Sequence, residues 1–374
     1  MSNSYIQPGK TIGIIGGGQL GRMMSLAAKE AGFRIIVLDP TENCPCAQLA
    51  DEQITANYDD LQALDLLAKK CDVITFEFEN IDYEALLDLT KKANVPQGAE
   101  IIRITQDRII EKNTLVAAGV KVAPFEIILA KDDLKKGVDK LGYPCVLKTS
   151  RGGYDGKGQQ VIKCNEDVLE AEKLLEHGAC VLEAWIPFEK EVSVIVARNE
   201  KGDMECFPVG ENNHVDNILH QTIVPARVNE KVAELAYELA LSVAHHVQLV
   251  GTLAIEMFVA NNGEIFVNEL APRPHNSGHY SIEACDFSQF AQHIRAVCNW
   301  PLKKPTLLKP VVMVNVLGQH VEPLLKEIPF HPEWSIHLYG KKQAKFQRKM
   351  GHITVLTEDI VQTLYTLEKS HIWN

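Results

Sequence analysis

YPCVLKTSRGGYDGKG, residues 143–158, joins an apolar run to a loop that carries four glycines within seven positions. The run predicts a buried strand ending in Lys148, and a lysine at a strand end can meet a phosphate as a point charge. The glycines give the loop mobility, so its backbone N–H groups can close over the phosphates of a nucleotide. A Walker A sequence, G-x-x-x-x-G-K-[ST], is absent. The alternative, a surface hairpin, is disfavoured by the apolar lead-in and two basic residues, so we expect a phosphate lid of another class.

Two further apolar runs, 253–259 and 264–269, flank an N-N-G turn and predict a β-hairpin. Glu256 and Glu269 then lie on facing strands, and an isolated carboxylate in such a run is costly to bury. A pair that shares magnesium ions, with Asn268 beside it, removes this cost and bridges the metal to phosphate oxygens. The alternative is a pair of edge-strand carboxylates facing water. The hairpin therefore predicts a metal site.

Two shorter stretches add candidate ligand contacts. The run 181–187, with Glu191 shortly after it, offers backbone groups for an adenine edge and a carboxylate for a ribose diol. Arg273 is held between two prolines, which suits a guanidinium that stabilises an anionic intermediate. His275 and His279 have the i,i+4 spacing of a zinc site, but a proline and a glycine beside them make a regular helix doubtful. We interpret this segment as a substrate loop.

A glycine-rich motif near the N-terminus is compatible with more than one kind of ligand. Gly16–Gly21 reads G-x-G-x-x-G between a predicted strand and a predicted helix, and Asp39 ends the next strand. This pattern predicts a dinucleotide site, with the acidic residue on a ribose hydroxyl. Glycines at a helix N-terminus suit a phosphorylated substrate equally well. A tight turn without a ligand is the third interpretation, and the motif alone leaves all three open.

The pattern of predicted strands and helices changes twice along the chain. From Thr11 to about Pro96 strands and helices alternate, which predicts a βαβαβ unit with a parallel sheet. A mixed region with a predicted helix at Asn229–Val247 follows. Prolines near residue 301 then lead into a short piece with strands near 311–316 and 336–338. We expect two or three compact units in 374 residues.

Composition limits the possible partners. A net charge of −11 argues against a nucleic-acid or anionic-membrane surface. No apolar run reaches the roughly 20 residues that span a bilayer, and the first ten residues lack the layout of a signal peptide. Nine cysteines without a repeating spacing fit reduced thiols, and Cys44 and Cys46 are interpreted as loop residues. We therefore expect a cytoplasmic protein.

The order of these features resembles the ATP-grasp superfamily, and in detail the 5-(carboxyamino)imidazole ribonucleotide synthase family of purine biosynthesis. The resemblance covers nearly the whole chain. It rests on GGGQLGRM at 16–23, TFEFEN at 75–80, QDR at 106–108, RGGYDGKG at 151–158, ENNH at 211–214, NELAPRPHNSGH at 268–279, and YGK at 339–341.

The resemblance implies a mixed α/β and α+β fold. An N-terminal Rossmann-like pre-ATP-grasp domain would span 1–105, an ATP-grasp domain 106–300 with its lid at about 113–182, and a small β-rich C-terminal domain 301–374. It also implies a homodimer, because the family is usually dimeric.

Site residues are implied in four groups. The implied ATP-binding residues are Arg108, Lys148, Gly153, Tyr154, Asp155, Gly156, Lys157, Gly158, Gln159, Glu183, Ala184, Trp185, Ile186, Glu191, His214, Asn268 and Glu269. The implied ribonucleotide contacts are Gln19, Leu20, Glu77, Tyr154, Asp155, Arg273, Lys341 and Arg348. Glu256 and Glu269 would hold Mg²⁺, with Mn²⁺ as the alternative ion. Arg273, Lys148 and Glu269 are the expected catalytic residues.

The implied reaction uses small molecules only. ATP and bicarbonate would form carboxyphosphate, which carboxylates aminoimidazole ribonucleotide with release of ADP and phosphate. Two other ATP-grasp activities, formate-dependent glycinamide ribonucleotide transformylase and biotin carboxylase, compete with this hypothesis. A dehydrogenase using NAD rests on Gly16–Gly21 and Asp39 alone, and leaves the lid and the carboxylate hairpin unexplained. A nucleotide sensor without turnover is disfavoured by the metal carboxylates.

Overall fold

The amino-terminal quarter of the chain is a parallel sheet with helices on both faces. The structure, a computed structural model, describes residues 5–153 and 157–373. The sheet has the strand order β3-β2-β1-β4. The elements are β1 (Thr11–Ile15), α1 (Gln19–Glu30), β2 (Arg34–Leu38), β3 (Glu52–Ile54), α2 (Leu61–Lys70), β4 (Val73–Phe76), α3 (Tyr83–Thr90) and α4 (Glu100–Thr105).

The sequence of β1 explains why both faces are covered. Ile12 and Ile14 pack with α1, whereas Ile15 packs with α2 and α3 on the opposite face. A strand buried on both sides must be apolar where it is buried, as residues 12–15 (IGII) are. The predicted βαβαβ unit is confirmed. The helix predicted near 59–70 begins at Leu61, because the Asp60 side chain accepts the N–H groups of its first turn.

The second unit is the lid sheet, four antiparallel strands in the order β5-β8-β6-β7. Its apolar core includes Leu134, Leu147 and Leu182. Lys148 lies in β6, the strand predicted before the glycine loop. The elements are α5 (Arg108–Ala117), β5 (Phe125–Ile128), α6 (Lys131–Leu141), β6 (Cys145–Thr149), β7 (Gln159–Ile162), α7 (Asn165–Ala171) and β8 (Cys180–Ala184).

The third unit is built on a nine-stranded sheet that faces the lid sheet across a cleft. The strand order is β14-β13-β9-β11-β12-β15-β17-β16, and the short strand β10 pairs with the C-terminal end of β9. Helix α8 covers one face, and the Asn229 side chain caps its N-terminus. The elements before the proline segment are β9 (Phe188–Arg198), β10 (Met204–Cys206), β11 (Gly210–Val215), β12 (Ile218–Val224), α8 (Glu230–His246), β13 (Gly251–Ala260), β14 (Ile265–Ala271), α9 (Ser281–Ala284) and α10 (Gln289–Val297).

The carboxy-terminal strands extend this same sheet. Strand β15 pairs with β12 from Gln221 opposite Val314 to Val224 opposite Val311. The strands predicted near 311–316 and 336–338 are therefore present and share the large sheet. The elements are β15 (Val311–Leu317), α11 (Val321–Glu327), β16 (Trp334–Leu338), β17 (Lys349–Leu356) and α12 (Ile360–Lys369).

Composition leads to two expectations, one about membrane-spanning segments and one about the state of the cysteines. Within residues 5–153 and 157–373, no helix is long and apolar enough to cross a membrane. All nine cysteines lie in these ranges as thiols, and Cys44 and Cys46 are buried in the loop after β2.

The glycine turn after β1 generates a stability prediction. A Cβ atom at Gly17 would lie 2.1 Å from the Cys44 Sγ and 2.9 Å from the Asp39 Cβ. We expect Gly17→Ala to lower the free energy of unfolding by about 1–3 kcal/mol, because overpacking forces neighbours apart. The measurement is urea unfolding followed by circular dichroism. The same substitution in a Cys44→Ala background should lose less stability, and an equal loss in both backgrounds would contradict the packing argument.

Candidate active site

A cleft of about 530 Å³ separates the lid sheet from the large sheet. Fourteen of the seventeen residues expected to bind ATP line it, and the other three, Tyr154, Asp155 and Gly156, lie outside the described residues. The fourteen are Arg108, Lys148, Gly153, Lys157, Gly158, Gln159, Glu183, Ala184, Trp185, Ile186, Glu191, His214, Asn268 and Glu269. The fold thus brings together residues that are up to 161 positions apart.

Two buried lysines share one carboxylate at the base of the cleft. The Glu183 Oε2 lies 3.2 Å from the Lys148 Nζ and 3.2 Å from the Lys112 Nζ. Burial would raise the pKa of Glu183, but the charges of Lys148, Lys112 and Arg108 bring that pKa down to about 2. Burial lowers the pKa of Lys148, while Glu183 opposes that shift. Two cations on one anion leave a local excess of positive charge at the base of the cleft, which suits a polyphosphate.

The predicted carboxylate hairpin is present. Glu256 on β13 stands opposite Glu269 on β14, and the register shifts just after Glu256. Burial, and then the charge of Glu269, raises the pKa of Glu256 to about 7. The Glu269 Oε2 lies 3.4 Å from the Arg108 Nη1. A cation beside this pair would relieve the repulsion between the two carboxylates.

The donor set near this pair fits a hard divalent cation. The Asn268 Oδ1 is buried, with no hydrogen-bond partner in the described part of the chain. Within those same ranges, no cluster of three or more His, Cys, Asp or Glu side chains has metal-binding geometry. Mg²⁺ is commonly held by one or two carboxylates together with substrate phosphates. Glu256 and Glu269 fit that pattern, and His275 lies 3.4 Å from Glu256 without completing a zinc site.

Arg273 is fixed at the wall of the cleft by a two-point ion pair. Its Nε lies 2.6 Å from the Glu79 Oε2, and its Nη2 lies 3.1 Å from the Glu79 Oε1. Burial would raise the pKa of Glu79, but the Arg273 guanidinium holds it below the ordinary value. His275–Gly278 forms a short turn and no regular helix, as expected from the sequence. The guanidinium is therefore rigidly oriented toward the cleft that it lines.

Glu191 and His214 form a second pair on the neighbouring strands β9 and β11. The His214 Nδ1 lies 2.5 Å from the Glu191 Oε2. Burial lowers the pKa of His214, but the Glu191 carboxylate outweighs it and raises that pKa overall. Both side chains line the cleft, so it contains a further histidine–carboxylate pair within reach of a ligand.

The glycine turn at Gly16–Gly21 is already occupied by carboxylates of the chain itself. The Asp39 Oδ2 accepts the Gly17 N–H at 2.7 Å, and the Glu77 carboxylate accepts the N–H groups of Gly18 and Gly21. Asp39 also accepts the Tyr58 hydroxyl at 2.7 Å. The dinucleotide interpretation of this motif is therefore wrong in its physical basis, because the donors and the acidic residue bind each other.

The remaining ribonucleotide candidates lie outside the cleft, around this turn. Gln19 and Leu20 begin α1. The Lys341 Nζ donates to the Lys349 carbonyl oxygen at 2.6 Å, and burial, followed by the charge of Arg348, lowers the pKa of Lys341 to about 8. The charge of Glu77 also acts on Lys341, so the carboxy-terminal loop and the glycine turn are close in space.

Comparison with known proteins identifies the family. The chain matches a ribonucleotide synthetase preATP-grasp domain at 9–106, an ATP-grasp domain at 113–290, and a phosphoribosylaminoimidazole carboxylase C-terminal domain at 311–365. It is 52% identical to N5-carboxyaminoimidazole ribonucleotide synthase of Bacillus subtilis (strain 168), over 96% of this chain and 94% of that protein. The chain belongs to the N5-carboxyaminoimidazole ribonucleotide synthase family. The ATP-grasp fold expected from the sequence is confirmed.

Solved structures of this family agree with the whole chain. An ADP complex of N5-carboxyaminoimidazole ribonucleotide synthetase superposes with a TM-score of 0.97 at 55% identity, covering 100% of this chain and 99% of that one. The Aspergillus clavatus synthase in complex with ADP and 5-aminoimidazole ribonucleotide has a TM-score of 0.91 at 31% identity, covering 98% and 99%.

Four charged residues of the site were missed from the sequence alone. Glu79, Glu111 and Lys349 line the cleft, and Lys112 lies buried beneath it. Burial raises the pKa of Glu111 to about 8, and its carboxylate accepts the Leu270 N–H at 2.8 Å. Glu79 could have been found, because it alternates with Glu77 in the apolar sequence run that begins with β4 and continues past its end. The others are visible only once the fold is known.

The Arg273 pair generates the next prediction. We expect Glu79→Gln to lower the free energy of unfolding by about 1–3 kcal/mol, because the partly buried guanidinium loses its ionised partner. Urea denaturation measures this change. Glu100→Gln is the matched control, since Glu100 makes an exposed pair with Arg103 and should shift stability by less than about 0.5 kcal/mol. Equal effects of the two substitutions would contradict the assigned role of Glu79.

Proposed function

We propose that the protein carboxylates 5-aminoimidazole ribonucleotide with bicarbonate in an ATP-dependent reaction. The products are N5-carboxyaminoimidazole ribonucleotide, ADP and phosphate, so the enzyme is a carbon–nitrogen ligase of de novo purine biosynthesis. The observation that carries this proposal is the cleft that unites Lys148, Glu183, Arg273 and the Glu256–Glu269 pair, in a chain that matches a family member over 96% of its length.

ATP would occupy the cleft between the two sheets. Lys148 and Arg108 would supply positive charge for its phosphates, and the described ends of the glycine loop, Gly152–Gly153 and Lys157–Gly158, line the cleft where those phosphates would lie. Glu256 and Glu269 would hold Mg²⁺, which neutralises charge on the phosphate oxygens when it is bound, and Mn²⁺ is the alternative ion. The buried Asn268 Oδ1 without a partner in the described residues supports a polar ligand here.

The ribonucleotide would lie between the glycine turn and Arg273. The proposed contacts are Gln19, Leu20, Glu77, Tyr154, Asp155, Arg273, Lys341 and Arg348. The charge of Glu77 acts on Lys341, which supports placing both residues beside the same substrate. Lys341 and Arg348 would bind its phosphate, because both carry cations on one loop beside the turn.

The reaction proceeds in two steps, phosphoryl transfer to bicarbonate and then carboxyl transfer to the amine. A bicarbonate oxygen attacks the γ-phosphorus, the bond to the ADP oxygen breaks, and carboxyphosphate forms. The substrate amine then attacks the carboxyl carbon, phosphate leaves with the C–O bonding electrons, and the amine loses a proton. Arg273 and Lys148 stabilise the negative charge that develops. Because carboxyphosphate hydrolyses readily, closure of the loop over the cleft protects it until the amine reacts.

The domain boundaries follow from the same proposal. We assign 1–105 to the pre-ATP-grasp domain, 106–300 to the ATP-grasp domain with its lid at about 113–182, and 301–374 to the carboxy-terminal domain. The pairing of β15 with β12 supports a carboxy-terminal domain that is continuous with the ATP-grasp sheet. A homodimer is the proposed assembly.

ADP release tests the activity. With ATP, Mg²⁺, bicarbonate and aminoimidazole ribonucleotide, we expect ADP formation that drops to background when the ribonucleotide is omitted. Glu269→Ala should reduce kcat by about 100-fold or more, because a metal-bridging carboxylate is lost. Replacing bicarbonate by formate, or the ribonucleotide by biotin, should give no turnover.

The matched control is Glu264→Ala on the same hairpin, where an exposed Glu264 pairs with Lys121. It should leave kcat within about twofold of the wild type, as surface pairs contribute little. ADP formation that ignores the ribonucleotide, or full activity of Glu269→Ala, would refute the proposal.

Ribonucleotide binding should depend on pH through Lys341. With a pKa of about 8, its amine is charged at pH 7 and neutral at pH 9. The apparent KM for the ribonucleotide should therefore rise as pH increases through 8, by up to about tenfold per pH unit above it. Lys341→Met should raise the KM at pH 7 and flatten its rise with pH. Lys342→Met, at the exposed neighbouring lysine, should change neither the KM nor its pH dependence. An unchanged KM and pH profile in Lys341→Met would exclude the phosphate role.

A further inference from the structure

Lys112 is a fully buried lysine without an assigned role. It lies on helix α5, and its side chain has an exposed fraction of 0%. Its Nζ contacts the Glu183 Oε2 at 3.2 Å on the lid sheet and donates to the Asn268 carbonyl oxygen at 3.0 Å on β14. One ammonium group therefore joins three elements that meet beneath the cleft.

The charge balance at this point is unusual. Lys148 and Lys112 both contact the Oε2 of Glu183, while its Oε1 is buried with no hydrogen-bond partner among the residues described. A buried carboxylate needs one counter-ion, because an unpaired buried charge is strongly destabilising. With two lysines on one oxygen, either lysine can depart and leave Glu183 neutralised. Only Lys148 lines the cleft.

We propose that Lys112 is a positioning residue that serves as the permanent counter-ion of Glu183, so that Lys148 can leave this carboxylate for the phosphates of ATP. The inference rests on the proposed function, since it takes ATP as the ligand of the cleft. Lys112 does not touch the nucleotide. It acts through Lys148, by removing the electrostatic penalty that would otherwise hold Lys148 on Glu183.

A purely structural role for Lys112 is the competing explanation. In that case the contact with the Asn268 carbonyl oxygen would brace β14, and the charge of Glu183 would be irrelevant. The two explanations differ in what Glu183→Gln does. A neutral carboxamide no longer holds Lys148, so the counter-ion role of Lys112 disappears, whereas a brace between α5 and β14 would be needed as before.

A double-mutant cycle tests the proposal. Isothermal titration of MgATP measures the Kd of the wild type, Lys112→Met, Glu183→Gln and the double variant. We expect Lys112→Met to raise the Kd at least about tenfold in the wild-type background and no more than about threefold in the Glu183→Gln background. Lys121→Met, at an exposed lysine that pairs with Glu264 and does not line the cleft, is the control and should leave the Kd unchanged.

Each outcome has one meaning. An equal loss of affinity in both backgrounds, or none in the wild-type background, overturns the proposal. If Lys112→Met does not fold, the double variant still decides, since it lacks both buried charges: a Kd within about threefold of Glu183→Gln supports the proposal, and a larger difference overturns it. Absence of ATP binding and of ADP formation in the wild type would overturn the proposed function as well. A wild type that turns over ATP beside a Lys112→Met variant of normal affinity would overturn this inference alone.

Discussion

Burial of charge where the lid sheet meets the large sheet is the constraint on which the cleft depends. Lys112, Lys148 and Glu183 lie there beside the mostly buried Glu256, and none of these charges is tolerable alone in a desolvated place. The fold supplies partners from other elements: both lysines contact Glu183 on the lid strand β8, and Glu269 on β14 lies 3.4 Å from the Nη1 of Arg108 on α5. The site therefore binds the two sheets together and prepares them for an anionic ligand.

The same principle explains the glycine turn. Its N–H groups, which elsewhere could bind a phosphate, are taken by Asp39 and Glu77. The turn is thus held in place by two carboxylates of the same chain. It holds Glu77 where its charge acts on both Arg273 and Lys341. A motif that resembles a dinucleotide site is here a turn whose N–H donors bind carboxylates of the same chain.

Local patterns predicted much of this fold. The apolar β1 and the hairpin with Glu256 opposite Glu269 follow from alternation, turn residues and the cost of burying carboxylates, all visible within about twenty residues. Lys112 could not be found this way, because RIIEKNTL resembles an ordinary helix with a charged outer face. Its burial results from β8 and β14 closing over α5. The internal partners of Asp39 and Glu77 were missed for the same reason, since contacts between distant segments have no sequence period.

A crystal structure of this chain with ADP and Mg²⁺ tests the central claim, that the charged cleft is the nucleotide site. We expect the phosphates beside Lys148 and Arg108, the metal on Glu256 and Glu269, and Glu183 still paired with Lys112. The Gly16–Gly21 turn should keep its hydrogen bonds to Asp39 and Glu77. A nucleotide bound at that turn with Asp39 on its ribose, and an empty cleft between the sheets, would contradict the claim.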